Sequence, residues 1–338
     1  MSAPKIFNCE EAFQLESGAR LNRLTIAYHS WGELNNDGSN VIWVCHALTA
    51  NSNAKDWWPG LIGKGLVFDT DKYFVVCANI LGSCYGTTGP GTISDNGRPY
   101  HHEFPFITIR DIVNAHELLR VALGIESIFL LAGGSMGGYQ VLEWCVMKPE
   151  IIHRQFLIAS NAQETAWAIA IHTTQRMAIE LDPGWQSNAA GGGSEGLKIA
   201  RGIGMVTYRS YESFSTTQTD TDDQKTDSFR AESYIRYQGE KLSARFSAYS
   251  YWALTKAMDS HNLARGRSAL SSVLSSIQAR TLVIAITSDL LCPLEPQQFL
   301  ARQLPNASFV VIDSLYGHDG FLVETPAVSQ HLSDWLNN

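Results

Sequence analysis

One short glycine-rich segment contains the residue types that nucleophilic catalysis requires. Its frame is Gly133-x-Ser135-x-Gly137. The apolar run 128–132 before it predicts a buried strand, and the apolar spacing of 139–147 after it predicts a helix. A strand that turns sharply into a helix has no room for side chains beside the turn, and it pushes the serine hydroxyl out beside the first free N–H groups of the helix. The segment therefore predicts a nucleophile elbow with Ser135 as the nucleophile.

Two residues later in the chain could activate that serine. A serine hydroxyl becomes a strong nucleophile only when a base takes its proton and an anion orients the base. Asp289 lies just past the apolar run 282–286, and His318 lies in the loop after the run 309–312. The carboxyl ends of parallel strands are where such sheets collect functional groups, and the order serine, acid, histidine is the order this arrangement uses. The pattern predicts a triad of Ser135, Asp289 and His318.

Two backbone groups could stabilise the negative charge that develops during acyl transfer. The loop after the predicted strand 41–45 reads Cys-His-Ala-Leu-Thr-Ala, and in this type of site that loop supplies one N–H donor. The residue after the nucleophile supplies the other donor. We therefore expect an oxyanion hole formed by the backbone N–H groups of Leu48 and Met136.

The elements around these residues indicate the fold. Six apolar runs predict buried strands, at 41–45, 73–78, 128–132, 156–159, 282–286 and 309–312. Helical patterns lie between them, one of them at 109–123 and opened by a Thr108-x-x-Asp111 capping box. Such alternation indicates a mostly parallel sheet that is covered on both faces. With the elbow, it predicts an α/β-hydrolase fold.

The alternation stops after residue 159 and resumes at 282, which predicts an insertion. Helix-like stretches at 166–181, 197–207 and 244–258 fill this part of the chain. We therefore expect a core domain of residues 1–161 and 269–338, with a helical lid insertion at 162–268. Within the lid, the polar segment 215–226 predicts a mobile surface loop and the glycine-rich segment 189–196 predicts a hinge.

Composition excludes several kinds of partner. The formal net charge of −8 argues against nucleic acid or an anionic membrane as the main partner, and no apolar run approaches the ~20 residues that span a bilayer. The six cysteines have no paired spacing and the N-terminus has no apolar signal-peptide region, so we expect a reduced, cytoplasmic protein. The neighbouring His101 and His102 lack metal-ligand spacing, and we expect no metal site.

Longer motifs carry a more specific resemblance. They are Gly-Gly-Ser-Met-Gly-Gly-x-Gln at 133–140, Leu-Gly-Ser-Cys-Tyr-Gly-Thr-Thr-Gly-Pro at 81–90, Phe-Pro-x-Ile-Thr-Ile-Arg-Asp at 104–111, Gly-Leu-x-x-Ala-Arg at 196–201 followed by Tyr208-Arg-Ser, and Gly-His-Asp-x-Phe-Leu at 317–322. The chain resembles homoserine O-acetyltransferases nearly from end to end. The resemblance implies acyl transfer from acetyl-CoA, as a co-substrate and without a further cofactor, to the hydroxyl of L-homoserine in methionine biosynthesis. It also implies a cytoplasmic homodimer whose lid forms a tunnel to the serine.

The resemblance adds three candidate substrate-binding residues to the triad. Arg201 and Tyr208 match lid residues that hold homoserine, and Asp319 matches the acid that binds its amino group. The chemistry fits, because an amino acid presents a carboxylate to a guanidinium and an ammonium to a carboxylate.

Several alternatives remain open from the residues alone. The chain departs from the family pattern at 186–195, which leaves the tunnel mouth and the acyl donor open. Succinyl-CoA could replace acetyl-CoA, and serine could replace homoserine. The same triad also suits an esterase of the hydrolase class, whereas a catalytically inactive scaffold would not need an intact triad.

Overall fold

The computed structural model describes residues 3–338, in which eight strands form one sheet in the order β1-β4-β6-β5-β7-β8-β9-β10. Strands β1 and β4 are antiparallel to their neighbours, and all pairs from β6 to β10 are parallel. The strands are β1 (Lys5–Cys9), β2 (Phe13–Gln14), β3 (Arg20–Leu21), β4 (Leu24–Trp31), β5 (Val41–Cys45), β6 (Phe74–Ala78), β7 (Leu130–Gly134), β8 (Arg154–Ile158), β9 (Arg280–Ile286) and β10 (Ala307–Ile312), where β2 and β3 pair only with each other.

Helices cover this sheet and make up the segment predicted to form a lid. They are α1 (Ala54–Trp57), α2 (Ile109–Ala122), α3 (Met136–Met147), α4 (Ala166–Glu180), α5 (Ser194–Tyr208), α6 (Tyr211–Gln218), α7 (Arg230–Ser243), α8 (Ala248–Asp259), α9 (Leu270–Ser276), α10 (Leu294–Gln303), α11 (Gly320–Val323) and α12 (Thr325–Asn337). Among residues 3–338, no helix combines the length and apolar character needed to cross a bilayer.

The central strands are buried on both faces, as their apolar runs predict. In β5 every residue is buried, and alternate side chains enter different cores. Trp43 packs on one side with Leu142 of α3, whereas Ile42 and Val44 pack on the other side with Leu332 of α12. A strand covered on both faces positions its carboxyl end rigidly, and that end carries the chemistry.

The six predicted strands are all present, and the predicted capping box opens α2. Thr108 accepts a hydrogen bond from the N–H of Asp111, and the Asp111 carboxylate accepts one from the N–H of Thr108. The antiparallel strands β1 to β4 were not predicted. Strand β1 escapes a search for continuous apolar runs because it lies at the sheet edge and its residues are mostly exposed. Strand β4 is mostly buried, but polar residues interrupt its apolar sequence.

Residues 162–268 contain the helices α4 to α8. The two ends of this segment lie side by side, because the Glu164 N–H donates to the His261 carbonyl and the Leu263 N–H donates to the Ala162 carbonyl. The chain thus leaves and re-enters the sheet region at one place. The domain boundaries themselves stay a prediction, and residues 1 and 2 of the predicted core segment lie outside the described residues.

Two predictions within the lid are partly wrong. Residues 215–218 belong to α6 rather than to a loop, because Ser210 caps that helix by accepting from the Ser213 N–H and the helix continues to Gln218. Residues 194–196 form the first turn of α5 rather than part of a hinge. Both misassignments follow from local polarity and glycine content, which capping and packing override.

Candidate active site

The predicted elbow lies between β7 and α3. Ser135 has φ 54° and ψ −128°, a backbone conformation that residues other than glycine rarely adopt. Its N–H donates to the Ile158 carbonyl of the neighbouring strand, and its carbonyl accepts from the Gly138 N–H and the Ser160 hydroxyl. These bonds hold the strained residue in place and direct its Oγ away from the sheet.

The glycines around the serine are required by close backbone approach. A Cβ atom at Gly133 would lie 2.5 Å from the carbonyl group of Gly137, and a Cβ atom at Gly137 would lie 2.1 Å from the Cys45 carbonyl oxygen. Helix α3 therefore packs directly against the end of β5. This contact places the first turn of α3 beside the loop that follows β5.

The structure brings Ser135, His318 and Asp289 into one hydrogen-bonded chain. His318 Nε2 lies 2.8 Å from Ser135 Oγ, and His318 Nδ1 lies 2.7 Å from Asp289 Oδ2. A carboxylate can only accept, so Nδ1 carries the proton and Nε2 is free to accept the serine proton. All three residues are buried, although they are 183 and 29 positions apart along the chain.

The environment of His318 favours its charged form on balance. Burial by itself lowers the pKa of this imidazole, but the charge and the hydrogen bond of Asp289, together with the charges of Asp319 and Glu164, outweigh burial and raise the pKa above its ordinary value. Asp289 is held in turn, because its Oδ1 accepts from the N–H groups of Leu291 and Cys292, each at 2.8 Å. This geometry suits Asp289 to orient the predicted base and to stabilise an imidazolium.

The two predicted oxyanion donors have no competing partner. Within residues 3–338, the N–H groups of Leu48 and Met136 donate to no other protein group. Two side chains that the sequence analysis did not assign, His46 and Gln140, hold the loop after β5 in place. The Ile80 N–H donates to His46 Nε2 at 3.1 Å, His46 Nδ1 donates to the Ala47 carbonyl at 2.9 Å, and Gln140 Nε2 donates to the His46 carbonyl.

The charge state of His46 matches that structural role. Burial lowers its pKa to about 4, so the ring is neutral and keeps one donor and one acceptor near neutral pH. Gln140 is the last residue of the motif at 133–140, and its position one turn after Met136 is the signal that could have identified it.

A cavity of about 370 Å³ opens above the triad, and all three predicted substrate-binding residues line it. The Arg201 guanidinium lies 5.5 Å from the centre of the Tyr208 ring, and among residues 3–338 no carboxylate lies within ion-pair distance of it. The Tyr208 ring lies 5.6 Å from the His318 ring, and burial raises the pKa of the Tyr208 hydroxyl, so this group is neutral. The lid thus presents an unneutralised cation near the nucleophile.

Asp319 has a partner that sequence reasoning missed. Its Oδ2 lies 2.9 Å from Nε of Arg209, the residue after Tyr208 in the Tyr-Arg-Ser motif. The N–H bond of Nε is not aligned with this oxygen, so the contact is an ion pair without a good hydrogen bond. Arg209 therefore moderates the charge that Asp319 presents to the cavity. The assignments of Arg201, Tyr208 and Asp319 stay predictions.

The histidine pair anchors the lid segment that departs from the family pattern. His101 Nδ1 and His102 Nε2 each lie 2.8 Å from a carbonyl oxygen, of Asn188 and Trp185 respectively. The His101 ring also stacks on Tyr249, and the His102 ring meets Trp185 edge-on. This geometry makes the pair a clamp between the core and the lid.

One group of potential metal ligands includes two residues of the triad. Asp289, Cys292 and His318 offer ligand atoms within 4.8 Å of one another. The donor set does not suit a metal, because the carboxylate and the imidazole bond each other and burial raises the pKa of the Cys292 thiol well above its usual range. We assign no metal-dependent step to this site.

Comparison with known proteins identifies the family. Residues 40–325 match the model of the alpha/beta hydrolase fold, which confirms the predicted fold class. The chain is 46% identical over 321 residues to a homoserine O-acetyltransferase of Cyclobacterium marinum, covering 95% of this chain and 91% of that protein. The chain belongs to the homoserine O-acetyltransferase family. The resemblance stated from the motifs is therefore confirmed.

Solved structures agree with this family and also show how widely its fold is used. A homoserine O-acetyltransferase from Bacillus anthracis superposes with a TM-score of 0.91 at 26% identity, covering 100% of this chain and 99% of that one. Esterase E22 superposes with a TM-score of 0.89 at 24% identity, covering 98% of this chain and 99% of that one, and it shows the fold alone. Members of this family and esterases thus share one backbone, so the side chains of the cavity must decide between transfer and hydrolysis.

Proposed function

We propose that the protein transfers an acetyl group from acetyl-CoA to the hydroxyl of L-homoserine, in methionine biosynthesis, by a ping-pong mechanism with an acyl-serine intermediate. The observation that carries the proposal is the hydrogen-bonded chain from Ser135 through His318 to Asp289. This chain lies in a cavity where Arg201 has no carboxylate partner among the described residues. Membership of the family supplies the substrate class.

The first half-reaction forms the acyl-enzyme. His318 Nε2 takes the proton of Ser135 as Oγ attacks the thioester carbonyl carbon, and the carbonyl oxygen becomes an oxyanion that accepts from the N–H groups of Leu48 and Met136. The carbon–sulfur bond then breaks, and His318 returns the proton to the leaving thiolate. Free CoA and acetyl-Ser135 result.

The second half-reaction runs the same steps with homoserine. Its hydroxyl loses a proton to His318 Nε2 and attacks the ester carbonyl of acetyl-Ser135, after which Ser135 leaves and recovers the proton. The Arg201 guanidinium is suited to bind the substrate carboxylate, and the Asp319 carboxylate is suited to bind its ammonium beside Tyr208. No cofactor besides the co-substrate is required.

The lid must disfavour water for this reaction to be a transfer. Hydrolysis of acetyl-Ser135 would waste the acyl group, so the acceptor has to bind where it displaces water. The His101 and His102 clamp, which ties the core to residues 185–188, supports a lid that keeps one position over the serine.

We also propose that the protein works as a cytoplasmic homodimer. All six cysteines are free, which fits a reducing compartment. Helix α5 exposes Ile199 and Val206 beside a groove that α7 completes, and a second copy of the chain is the occupant that the family suggests. Sedimentation equilibrium tests the dimer, and a monomer at micromolar concentration would contradict it.

The test of the function is product analysis. The purified protein is incubated with acetyl-CoA, with and without L-homoserine, while free thiol and products are measured. We expect O-acetylhomoserine and CoA in equal amounts, and little acetate. Acetate formed at the same rate with or without homoserine would instead assign an esterase, and parallel incubations with succinyl-CoA and with L-serine decide the donor and the acceptor.

A further inference from the structure

A second cation lines the active-site cavity and has no role in the steps above. Arg245 lies in the connection between α7 and α8, and its side chain is exposed on the wall of the same cavity as Ser135 and Arg201. Its Nη1 donates to the Thr49 carbonyl at 2.7 Å and to the Tyr85 hydroxyl at 2.6 Å. Both contacts use one nitrogen, which leaves the rest of the guanidinium fork available.

The position of Arg245 separates it from the acceptor residues. Arg201 lies over Tyr208, on the side of the cavity where Tyr208 faces His318. Arg245 lies against Thr49, which directly follows the proposed oxyanion donor Leu48. Homoserine carries one carboxylate, so the guanidinium of Arg201 satisfies it and Arg245 remains for another anion.

Within residues 3–338, no acidic side chain neutralises Arg245. Asp56 lines the cavity as well, but its carboxylate accepts from Asn53, and it is not within ion-pair distance of Arg245. The chain as a whole has a formal net charge of −8, so a polyanionic substrate meets a repelling background. A fixed cation at the cavity wall would offset this repulsion locally.

We propose that Arg245 binds an oxyanion of the acyl donor and thereby positions the thioester for attack by Ser135. This inference rests on the proposed function and names the residue that recognises its donor. Two sources share the required chemistry, namely a phosphate of the CoA moiety and a terminal carboxylate on the acyl group. A guanidinium can bind either one through two parallel N–H donors.

Arg245 also links the lid to the loop that contains Leu48 and Thr49. Its hydrogen bonds to Thr49 and Tyr85 suggest a different, purely structural role. If its function were only to hold Thr49 and Tyr85, its loss would misplace the Leu48 N–H. Every donor would then react more slowly by the same factor, whether charged or not. The electrostatic role predicts a loss that depends on the charge of the donor.

The experiment compares Arg245→Gln with wild type in single-turnover acylation of Ser135. The donors are acetyl-CoA, succinyl-CoA and the uncharged thioester S-acetyl-N-acetylcysteamine. We expect the second-order rate constant for CoA thioesters to fall by about tenfold or more, and that for the uncharged thioester to fall by less than about threefold. Arg245→Lys should recover part of the loss. Arg23→Gln, at an exposed position between β3 and β4, is the matched control and should change none of the three.

The outcomes separate the sources and the roles. A loss with both CoA thioesters assigns the phosphates, and a loss confined to succinyl-CoA assigns the acyl carboxylate. Equal losses with all three donors, or no loss with any, would overturn the proposal. If the wild-type protein reacts with the uncharged thioester but with neither CoA thioester, the proposed function itself has failed, and this result is visible before any variant is compared.

Discussion

The two walls of the active-site cavity differ in how firmly their side chains are held. On the core side, Ser135, His318 and Asp289 are buried, and each forms hydrogen bonds to strands or loops of the sheet. On the lid side, the Arg201 guanidinium contacts the Tyr208 ring and has no carboxylate partner in the part of the chain that the structure describes, while Arg245 donates through one nitrogen. The comparison teaches that the chemistry is preorganised, whereas recognition uses groups with bonding capacity left for a substrate.

Breaking the core side at its nucleophile should have the largest effect. Ser135→Ala removes the atom that carries the acetyl group, so acylation should fall by roughly 10⁴- to 10⁶-fold. Intact-mass measurement of wild type with acetyl-CoA alone should show one added acetyl group on the peptide that contains Ser135. Acetylation at another residue, or CoA release by the variant at the wild-type rate, would refute the mechanism.

The orienting acid should be the next most sensitive position. The base must be neutral to accept a proton, so the acylation rate should fall as pH drops through the raised pKa of His318. Asp289→Asn removes the charge that raises this pKa, so the acid limb should move to lower pH. The plateau rate should also fall, by about 10³-fold or more, because the amide favours the wrong tautomer.

A pH series of single-turnover acylation measures both effects. His331→Ala changes a histidine of α12 that does not line the active-site cavity, so it serves as the control and should leave the pH profile unchanged. If the acylation rate of Asp289→Asn fell over the same pH range as in wild type, a group other than His318 would control the rate.

Breaking the lid side should affect one half-reaction only. Arg201→Leu should form acetyl-Ser135 at a near-normal rate but transfer it to homoserine about 10- to 150-fold more slowly, the usual cost of a lost charge-assisted hydrogen bond. Stopped-flow acylation and steady-state homoserine saturation measure the two halves separately. An unchanged homoserine saturation curve would show that Arg201 does not hold the acceptor.

A packing change in the core tests the rigidity without touching a reacting atom. Gly137→Ala places a Cβ atom 2.1 Å from the Cys45 carbonyl oxygen, so α3 must shift, and we expect a loss of about 1–3 kcal/mol in the free energy of unfolding. Gly91→Ala is the control, because a Cβ atom there meets no atom within 4 Å. Urea denaturation measures both, and equal stabilities would contradict the close packing of the elbow.

The catalytic side was more predictable from the sequence than the lid. Six continuous apolar runs identify the strands from β5 to β10, and residues just past their carboxyl ends include Asp289 and the loop that contains His318. The edge strand β1 escaped detection because its side chains are mostly exposed, so no apolar run marks it. Helix α6 escaped because its residues are polar and its formation depends on the Ser210 cap.

The identities of Ser135, Asp289 and His318, their order and the glycines between β7 and α3 were determined by the sequence alone, since a sharp strand-to-helix turn and a proton relay admit few residue types. The tertiary structure decided what lies across the cavity from them: the ion pair of Arg209 with Asp319 and the contact of Arg245 with Thr49. Arg245 and Thr49 are 196 positions apart. No local pattern encodes such a contact, because it depends on how the lid helices pack over the sheet.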